Sequence, residues 1–313
     1  DVLLAVGTSL GELATHAWDP RLVRDKKLIQ IDIDPREIGR NYPVTVGLLA
    51  DAKAALADLL EAVRDLGKAR DYKKGAYFKD IVRLRDEWYE RLRPAQTADV
   101  KPMTISRALV ELRKALPKET IVVTGAGLPQ TQVWQEFPVY APRTHITSGG
   151  FSTMGFTVPG SIGAKLAAPK APVVGIAGDG DFMQTMQELA VAVQHDLPIL
   201  IVILNNCGWQ SIKNLQFNAY GEKRLLGTEF KRKDGSPYSA HFADVARAFT
   251  SAIDGVIAIS LSRLMYSAET NAVTSFVTDA IGTVVVAPLL ANTKLSSRSA
   301  ARYCFAETSG AFT

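Results

Sequence analysis

The chain has 313 residues and a formal net charge of +4, and 47% of its residues are hydrophobic and 22% charged. This length allows two ordinary domains with separate cores, and the composition is typical of globular proteins. Basic and acidic side chains are interspersed, which excludes a nucleic-acid-binding stripe, and no long apolar run predicts a membrane span.

The first residues and the cysteines bear on where the protein is found. Cys207 and Cys304 are too few and too isolated to predict a disulfide framework or a zinc site, which favours a cytoplasmic location. The chain opens on the apolar run of residues 2–6, which predicts a buried strand and not a signal peptide. Because a natural chain rarely begins within a strand, we expect the true N-terminus to lie upstream.

Residues 1–64 alternate predicted strands and helices. Strands are predicted at 2–6 and 28–33, and residues 11–24 between them are predicted to be partly helical. Residues 51–63 form an amphipathic pattern whose apolar stripe contains Ala52, Ala55, Leu56, Leu59, Leu60 and Val63. This βαβ-type pattern predicts the C-terminal part of a Rossmann-like domain. The charge-rich residues 65–100 predict a helical linker whose helix ends at Pro94.

Residues 101–249 predict a second α/β domain with a doubly wound parallel sheet. Strands at 121–124, 173–177 and 199–204 alternate with helices at 105–116, where Thr104 is the predicted N-cap, and at 184–195. Residues 250–313 differ, because Ser and Thr become frequent and charged residues scarce. We expect an anomalous tail there, which begins with a change of reading frame or foreign sequence near Thr250; the alternative is a divergent but folded tail.

Two polar residues follow neighbouring predicted strands. Asp179 comes directly after the apolar run 173–177, and Asn206 comes after the run 199–204. A right-handed βαβ connection makes these strands parallel, so both residues emerge at the edge where ligands of open α/β sheets bind. Carboxylate and amide oxygens suit Mg²⁺, and the nearby glycines and the helix start, predicted near Phe182, suit a phosphate. The pattern therefore predicts a Mg²⁺–diphosphate site.

The segment from Gly178-Asp179-Gly180 to Asn205-Asn206 resembles the cofactor motif of thiamine diphosphate (ThDP)-dependent enzymes of the acetolactate synthase type. The resemblance implies a ThDP-binding fold, preceded by a Rossmann-like central domain. It also implies that Mg²⁺ is bound by Asp179, the side-chain oxygen of Asn206 and the backbone carbonyl of Gly208. The residues that it places at the cofactor are Ser152, Met154, Gly178, Asp179, Gly180, Asp181, Asn206 and Gly208.

Residues 147–156 resemble the family segment that holds the aminopyrimidine ring of the cofactor. The resemblance implies that Met154 is the apolar wedge that bends the cofactor, and that the backbone carbonyl of Ser152 accepts from its 4′-amino group. The family often has glycine where Ser152 stands. The loop of residues 125–134 resembles a further cofactor loop, but its spacing differs, so no contact is assigned to Gln130 or Gln132.

Residues 28–39 resemble the central domain of acetolactate synthase-like proteins, some of which bind FAD or ADP there. Asp32 or Asp34 at a strand end could contact a ribose, or could simply shape the turn before Pro35. The turn of residues 7–11 lacks the arginine that FAD-binding relatives tend to carry. The resemblance therefore leaves FAD open and does not favour it.

The resemblance also carries expectations about the whole enzyme. The glutamate that activates the cofactor belongs to a pyrimidine-binding domain that is absent from these residues, so no catalytic residue is assigned here and the chain alone is expected to be inactive. The family implies a homodimer or homotetramer with the active site at a subunit interface. The implied substrate is a 2-oxo acid such as pyruvate. The alternatives are hydrolysis of a cyclic dione from inositol breakdown and a non-catalytic nucleotide-binding or inactive chain.

Overall fold

A computed structural model describes residues 2–67, 71–100, 103–221, 224–249 and 256–260 of the chain. The chain packs into two compact units, which divide in the sequence between Leu84 and Arg85. Both units are built on parallel strands with helices between them, which confirms the predicted α/β class. The domain boundaries predicted from the sequence stay a prediction.

The first unit contains a parallel sheet in the order β1–β2–β3. Its strands are β1 (Val2–Val6), β2 (Lys27–Asp32) and β3 (Val46–Leu49). The sequence does not predict β3, because this short strand contains a glycine and is exposed along its length. The segment predicted to be partly helical folds as two 3₁₀ turns, Leu13–Thr15 and Pro20–Leu22.

Helix α1 (Ala52–Leu66) begins where the Asp51 side chain accepts a hydrogen bond from the backbone N–H of Ala54, at 3.0 Å. Its amphipathic pattern predicts a buried stripe, but no residue of α1 is buried and Leu60 is 51% exposed. Within its own unit the narrow sheet covers only part of the apolar face. The period of the sequence therefore identifies the helix correctly and overstates its burial.

Helix α2 (Ala76–Thr97) continues through Pro94, whereas the sequence predicts that it ends there. Proline is tolerated because only one turn follows it, so the backbone loses a single helical hydrogen bond near a terminus. The hydroxyl of Thr97 donates to the carbonyl of Arg93 at 2.9 Å and closes that last turn.

The second unit contains a parallel sheet in the order β5–β4–β6–β7–β8. Its strands are β4 (Ile121–Thr124), β5 (His145–Thr147), β6 (Val173–Gly178), β7 (Ile199–Leu204) and β8 (Val256–Ser260). Every residue of β6 and β7 is buried, as expected for the centre of a sheet covered on both faces. Strand β8 pairs with β7, although it lies within residues 250–313, the predicted anomalous tail. The rest of that predicted tail lies outside the described residues.

Helices cover both faces of this sheet. After α2, the helices of this unit are α3 (Ile105–Ala115), α4 (Leu128–Glu136), α5 (Thr157–Ala167), α6 (Asp179–Thr185), α7 (Leu189–Gln194), α8 (Gln210–Tyr220) and α9 (Phe242–Phe249). Helix α8 has no buried residue and lies outside the two cores. Thr104 caps α3 as predicted, and its hydroxyl accepts from the N–H of Arg107 at 3.1 Å. The single helix predicted at 184–195 is instead α6 and α7, joined by a 3₁₀ turn. No helix in the described part of the chain is both long and apolar enough to cross a membrane.

Alternate residues of each central strand point to opposite faces, so the second unit has two cores. One core packs Ile176 and Val202 against α3 and α4, and the other packs Ile201 and Ile203 against α5, α7 and α9. The doubly wound architecture predicted from the sequence is therefore confirmed. It places the residues that follow β4, β6 and β7 at the carboxyl edge of the sheet.

The second core fixes α6 through an aromatic pair. Phe182 and Phe242 are buried and meet edge to face, with ring centroids 5.6 Å apart. We predict that Phe242→Leu lowers the free energy of unfolding by about 1–2 kcal/mol, because the pair is lost and the core repacks imperfectly. Denaturant unfolding measures this, and Phe217→Leu on the exposed side of α8 is the control. Equal stability of the two variants would contradict the prediction.

Candidate functional site

The start of α6 and the loop after β7 meet at the carboxyl edge of the second sheet. Gly178 at the end of β6 pairs in register with Leu204 at the end of β7, so the residues that follow emerge side by side. The backbone N–H of Gly208 donates to the Oδ2 atom of Asp179 at 3.1 Å. The structure therefore brings together Asp179 and the loop that contains Asn206 and Gly208, as the sequence predicts.

Adjacent asparagines have different tasks in this loop. The side chain of Asn205 donates to the hydroxyl of Ser239 at 2.6 Å and accepts from the N–H of Cys207 at 3.0 Å, so it shapes the loop. The Oδ1 atom of Asn206 is buried and has no hydrogen-bond partner among the residues that the structure describes. A buried amide oxygen without a partner is costly and uncommon. Asn206 is therefore free to bind a ligand.

Two carboxylates are buried beside this loop. Asp179 and Asp181 are each 2% exposed, and burial raises the pKa of both. The pKa of Asp179 is also influenced by N–H groups that favour its charged form, from Asp179 itself, Gly180, Cys207 and Gly208. These N–H groups only partly offset the cost of burying the charge. A cation at Asp179 would offset more of it.

The donor set fits a hard cation that shares its coordination with a ligand. Asp179 offers a carboxylate oxygen and Asn206 a buried amide oxygen, which are the oxygen types that Mg²⁺ prefers. Among the described residues no group of three His, Cys, Asp or Glu side chains could hold a metal ion. A metal at Asp179 would therefore need further oxygens from outside these side chains, such as those of a diphosphate.

The glycines of this edge serve close packing. A Cβ atom on Gly180 would lie 2.1 Å from the Trp209 ring, and one on Gly178 would lie 3.3 Å from the Pro129 ring. The sequence predicts that a phosphate approaches these glycines. That stays a prediction, and the structure adds a packing reason for their lack of a side chain.

The start of α6 differs from the prediction. The helix begins at Asp179 and not near Phe182, so Asp179 and Asp181 both lie in its first turn. Carboxylates are favoured there by the positive end of the helix dipole.

The segment predicted to hold the aminopyrimidine ring lies against α6 and α4. Ser152 adopts a left-handed conformation, with φ 52°, which explains why glycine would suit this position. Its hydroxyl donates to the Oε1 atom of Gln130 at 3.2 Å. Met154 is half-buried, and its sulfur lies 3.8 Å from the amide nitrogen of Gln184. The predicted contacts of Ser152 and Met154 with a cofactor stay predictions.

Gln130 is a residue to which the sequence assigns no contact. It is 5% exposed, and its amide nitrogen donates to the hydroxyl of Thr147 at the end of β5. Together with its bond to Ser152, this contact ties the start of α4 to the predicted aminopyrimidine segment. A glutamine just inside a helix that follows a glycine turn was the available signal, but its partners lie 17 and 22 residues away. The Oε1 atom of Gln132 is buried and finds no hydrogen-bond partner in the described part of the chain.

The acidic residues of the first unit shape a turn. The carboxylate of Asp32 accepts from the N–H of Asp34 at 3.0 Å. The Arg36 side chain, followed by its backbone N–H, lowers the pKa of Asp34 to about 2. Both carboxylates thus have local partners, which supports the turn-forming alternative. FAD or ADP binding in this unit stays untested.

These features define a class of protein: a doubly wound α/β domain with a buried carboxylate, Asp179, at the carboxyl edge of the sheet, next to the loop that contains the buried amide oxygen of Asn206. Comparisons with known proteins identify the family. Residues 125–276 match the family model of the thiamine pyrophosphate enzyme C-terminal TPP-binding domain, and residues 1–59 match that of the central domain. The chain belongs to the thiamine pyrophosphate enzyme family, which confirms the resemblance stated above.

Several curated relatives are similar to this chain. A probable acetolactate synthase large subunit of Methanocaldococcus jannaschii is 34% identical over 72% of this chain and 38% of its own length. A sulfoacetaldehyde acetyltransferase of Castellaniella defragrans is 29% identical over 82% and 44%. A probable 2-ketoarginine decarboxylase of Pseudomonas aeruginosa is 33% identical over 81% and 42%. The chain thus spans less than half the length of each of these relatives.

Proposed function

We propose that the second unit binds the diphosphate of ThDP through Mg²⁺. The protein ligands of the metal are Asp179, the Oδ1 atom of Asn206 and the backbone carbonyl of Gly208. The observation that carries the proposal is the buried Oδ1 atom of Asn206, which has no partner within the described residues and lies in the loop that contacts Asp179. A hard cation would satisfy this oxygen and would favour the charged form of Asp179.

The remaining cofactor contacts come from the two segments beside the metal loop. Gly178, Gly180 and Asp181 lie where β6 passes into α6, and we assign the main chain there to the diphosphate. Ser152 and Met154 contact the aminopyrimidine end. The left-handed backbone of Ser152, held by Gln130, fixes the direction of its carbonyl, and the thioether of Met154 offers a polarisable apolar surface.

The proposed reaction of the whole protein is carbon–carbon bond cleavage or formation next to a carbonyl, with a small 2-oxo acid as substrate. Bound ThDP supplies the covalent chemistry, and the protein supplies binding and orientation. The relatives named as a synthase, an acetyltransferase and a decarboxylase differ in reaction but match this chain at 29–34% identity. We therefore propose the chemistry that they share and not one substrate. We also propose a homo-oligomer, in line with the family.

Calorimetric titration of ThDP into the purified chain tests the proposal. With Mg²⁺ present we expect saturable heat, and without it little or none. We predict that Asn206→Ala weakens the binding by at least about tenfold, because the metal loses a buried ligand. Asn214→Ala is the matched control. Asn214 is exposed on α8, and its side-chain oxygen accepts a hydrogen bond from Gln210 of the same helix at 2.8 Å.

Two results would overturn the proposed site. The first is a folded wild-type chain, verified by circular dichroism, that shows no Mg²⁺-dependent heat. The second is an Asn206→Ala variant that binds ThDP as tightly as the Asn214→Ala control does.

A further inference from the structure

Side chains of helix α6 form hydrogen bonds with both backbone groups of Gly155, its N–H and its carbonyl. The N–H of Gly155 donates to the Oδ1 atom of Asp181 at 2.7 Å. The carbonyl of Gly155 accepts from the hydroxyl of Thr185 at 2.8 Å. Asp181 and Thr185 are four residues apart and therefore lie on the same face of the helix.

The contact between Gly155 and α6 leaves no room for a side chain at position 155. Gly155 has a φ of 78°, and a Cβ atom there would lie 2.9 Å from the methyl group of Thr185. The residue before it, Met154, contacts Gln184 of the same helix through its sulfur. Side chains from positions 181, 184 and 185 thus hold Met154 and Gly155 against α6.

Both carboxylate oxygens of Asp181 accept hydrogen bonds from the protein. Its Oδ2 atom accepts from the hydroxyl of Thr157, and that hydroxyl in turn accepts from the N–H of Gly125 at 2.7 Å. The backbone N–H groups of Ala126 and Thr157 also favour the charged form of Asp181. A Cβ atom on Gly125 would lie 2.2 Å from Oδ1, so the loop after β4 packs directly on this carboxylate. Asp181 is therefore engaged by protein donors.

The same short helix carries the proposed metal ligand. Asp179 is the first residue of α6, and Phe182 fastens the helix to the core with 0% exposure. The distance between Asp179 and Met154 is therefore set by α6 and its contacts with Gly155. We propose that Asp181 and Thr185 are positioning residues, which fix the aminopyrimidine-side segment relative to the metal-side ligand so that both ends of one cofactor are bound in register.

This inference rests on the proposed function, since it gives the two segments one ligand. Its test therefore compares a ligand that reaches both segments with a ligand that reaches only the metal. The first ligand is ThDP with Mg²⁺, and the second is inorganic diphosphate with Mg²⁺. The variants are Thr185→Val and Asp181→Asn. Thr97→Val is the control, because its hydroxyl also donates to a backbone carbonyl but lies in α2.

We expect Thr185→Val to weaken ThDP binding by about fivefold, the usual effect of one hydrogen bond, while diphosphate binding stays within about twofold. In the ligand-free chain, hydrogen exchange of the backbone amides at 150–158 should become about tenfold faster in Thr185→Val, and faster still in Asp181→Asn. Thr97→Val should change neither quantity. A role in domain stability alone would weaken the binding of both ligands equally.

The outcomes separate the two ideas. If the wild-type chain binds neither ligand, the proposed function fails, and the positioning role fails with it. If the wild type binds both ligands but Thr185→Val leaves the ratio of the two affinities unchanged, only the positioning role is overturned. Unchanged amide exchange in both variants would also overturn it. This readout remains available if Asp181→Asn is too unstable for titration, because Thr185→Val removes only one hydroxyl.

Discussion

Replacing Gly208 by alanine should abolish Mg²⁺-dependent ThDP binding and lower the free energy of unfolding by about 2–3 kcal/mol. A Cβ atom at this position would lie 2.4 Å from the carbonyl oxygen of Thr228 and 3.2 Å from the Cα atom of Glu229. Both are main-chain atoms, which cannot rotate away as a side chain would. The clash must therefore displace the backbone either at position 208 or at positions 228–229.

The displaced backbone is the one that carries the site. Gly208 and Glu229 form an antiparallel bridge, flanked by a hydrogen bond of 2.8 Å from the N–H of Trp209 to the carbonyl of Thr228. Opening this bridge shifts the Gly208 carbonyl, which is the proposed third metal ligand, and the N–H that contacts Asp179. Stability and binding should thus be lost together.

Gly163→Ala is the matched control for this variant. Gly163 lies on the exposed side of α5, and a Cβ atom there would meet nothing within 4 Å. Alanine favours the helix over glycine by about 0.5–1 kcal/mol, so this variant should be slightly more stable and bind normally. Denaturant unfolding and calorimetry measure both effects. The argument fails if Gly208→Ala binds Mg²⁺ and ThDP as Gly163→Ala does.

The sequence predicts the centre of the second unit well because burial there is uniform. Strands β6 and β7 are fully buried and read as continuous apolar runs, and the polar residues that follow them mark the edge of the sheet. Asp179 could therefore be placed beside the loop after Asn206 from pattern and handedness alone. The same logic fails for β3, which is short, contains a glycine and is exposed.

Contacts between segments could not be predicted, because periodicity describes only one element at a time. Gln130, Thr157 and Thr185 bind partners 17 to 32 residues away along the chain. No local pattern distinguishes a threonine that fastens two loops from one that faces solvent. The exposed stripe of α1 shows the opposite error, since a helical period indicates an apolar face but not what covers it.

Asp179→Asn should separate binding from stability. We predict that it weakens Mg²⁺-dependent ThDP binding by about a hundredfold, because the amide cannot supply a charged oxygen to the metal. Without metal at pH 7, the variant should be more stable than the wild type, because burial raises the pKa of Asp179 and its buried charge is costly. A stability gain in a variant that has lost its ligand is expected where function requires a buried charge.

The pH dependence of stability tests independently whether the charge of Asp179 destabilises the metal-free protein. A carboxyl group whose pKa is raised by folding stabilises the protein below its ordinary pKa, and that contribution is lost as pH rises through the raised value. The contribution of Asp179 should therefore be lost over that window in the metal-free wild type, so Asp179→Asn should lose less stability than the wild type does. Asp181 contributes with the same sign in both proteins, and His145, whose pKa is lowered by burial, contributes with the opposite sign in both. Asp234→Asn is the control of opposite sign, since a hydrogen bond from Ser236 lowers the pKa of that exposed group.

Melting temperatures across pH 4 to 8 without metal, and again with Mg²⁺ and ThDP, measure the effect. Bound metal should reverse the order of the two proteins, because it stabilises the wild type and not Asp179→Asn. An Asp179→Asn variant that is less stable than the wild type without metal at pH 7 would show that the N–H groups around the carboxylate outweigh its burial. The fit of this site to a cation would then rest on Asn206 alone.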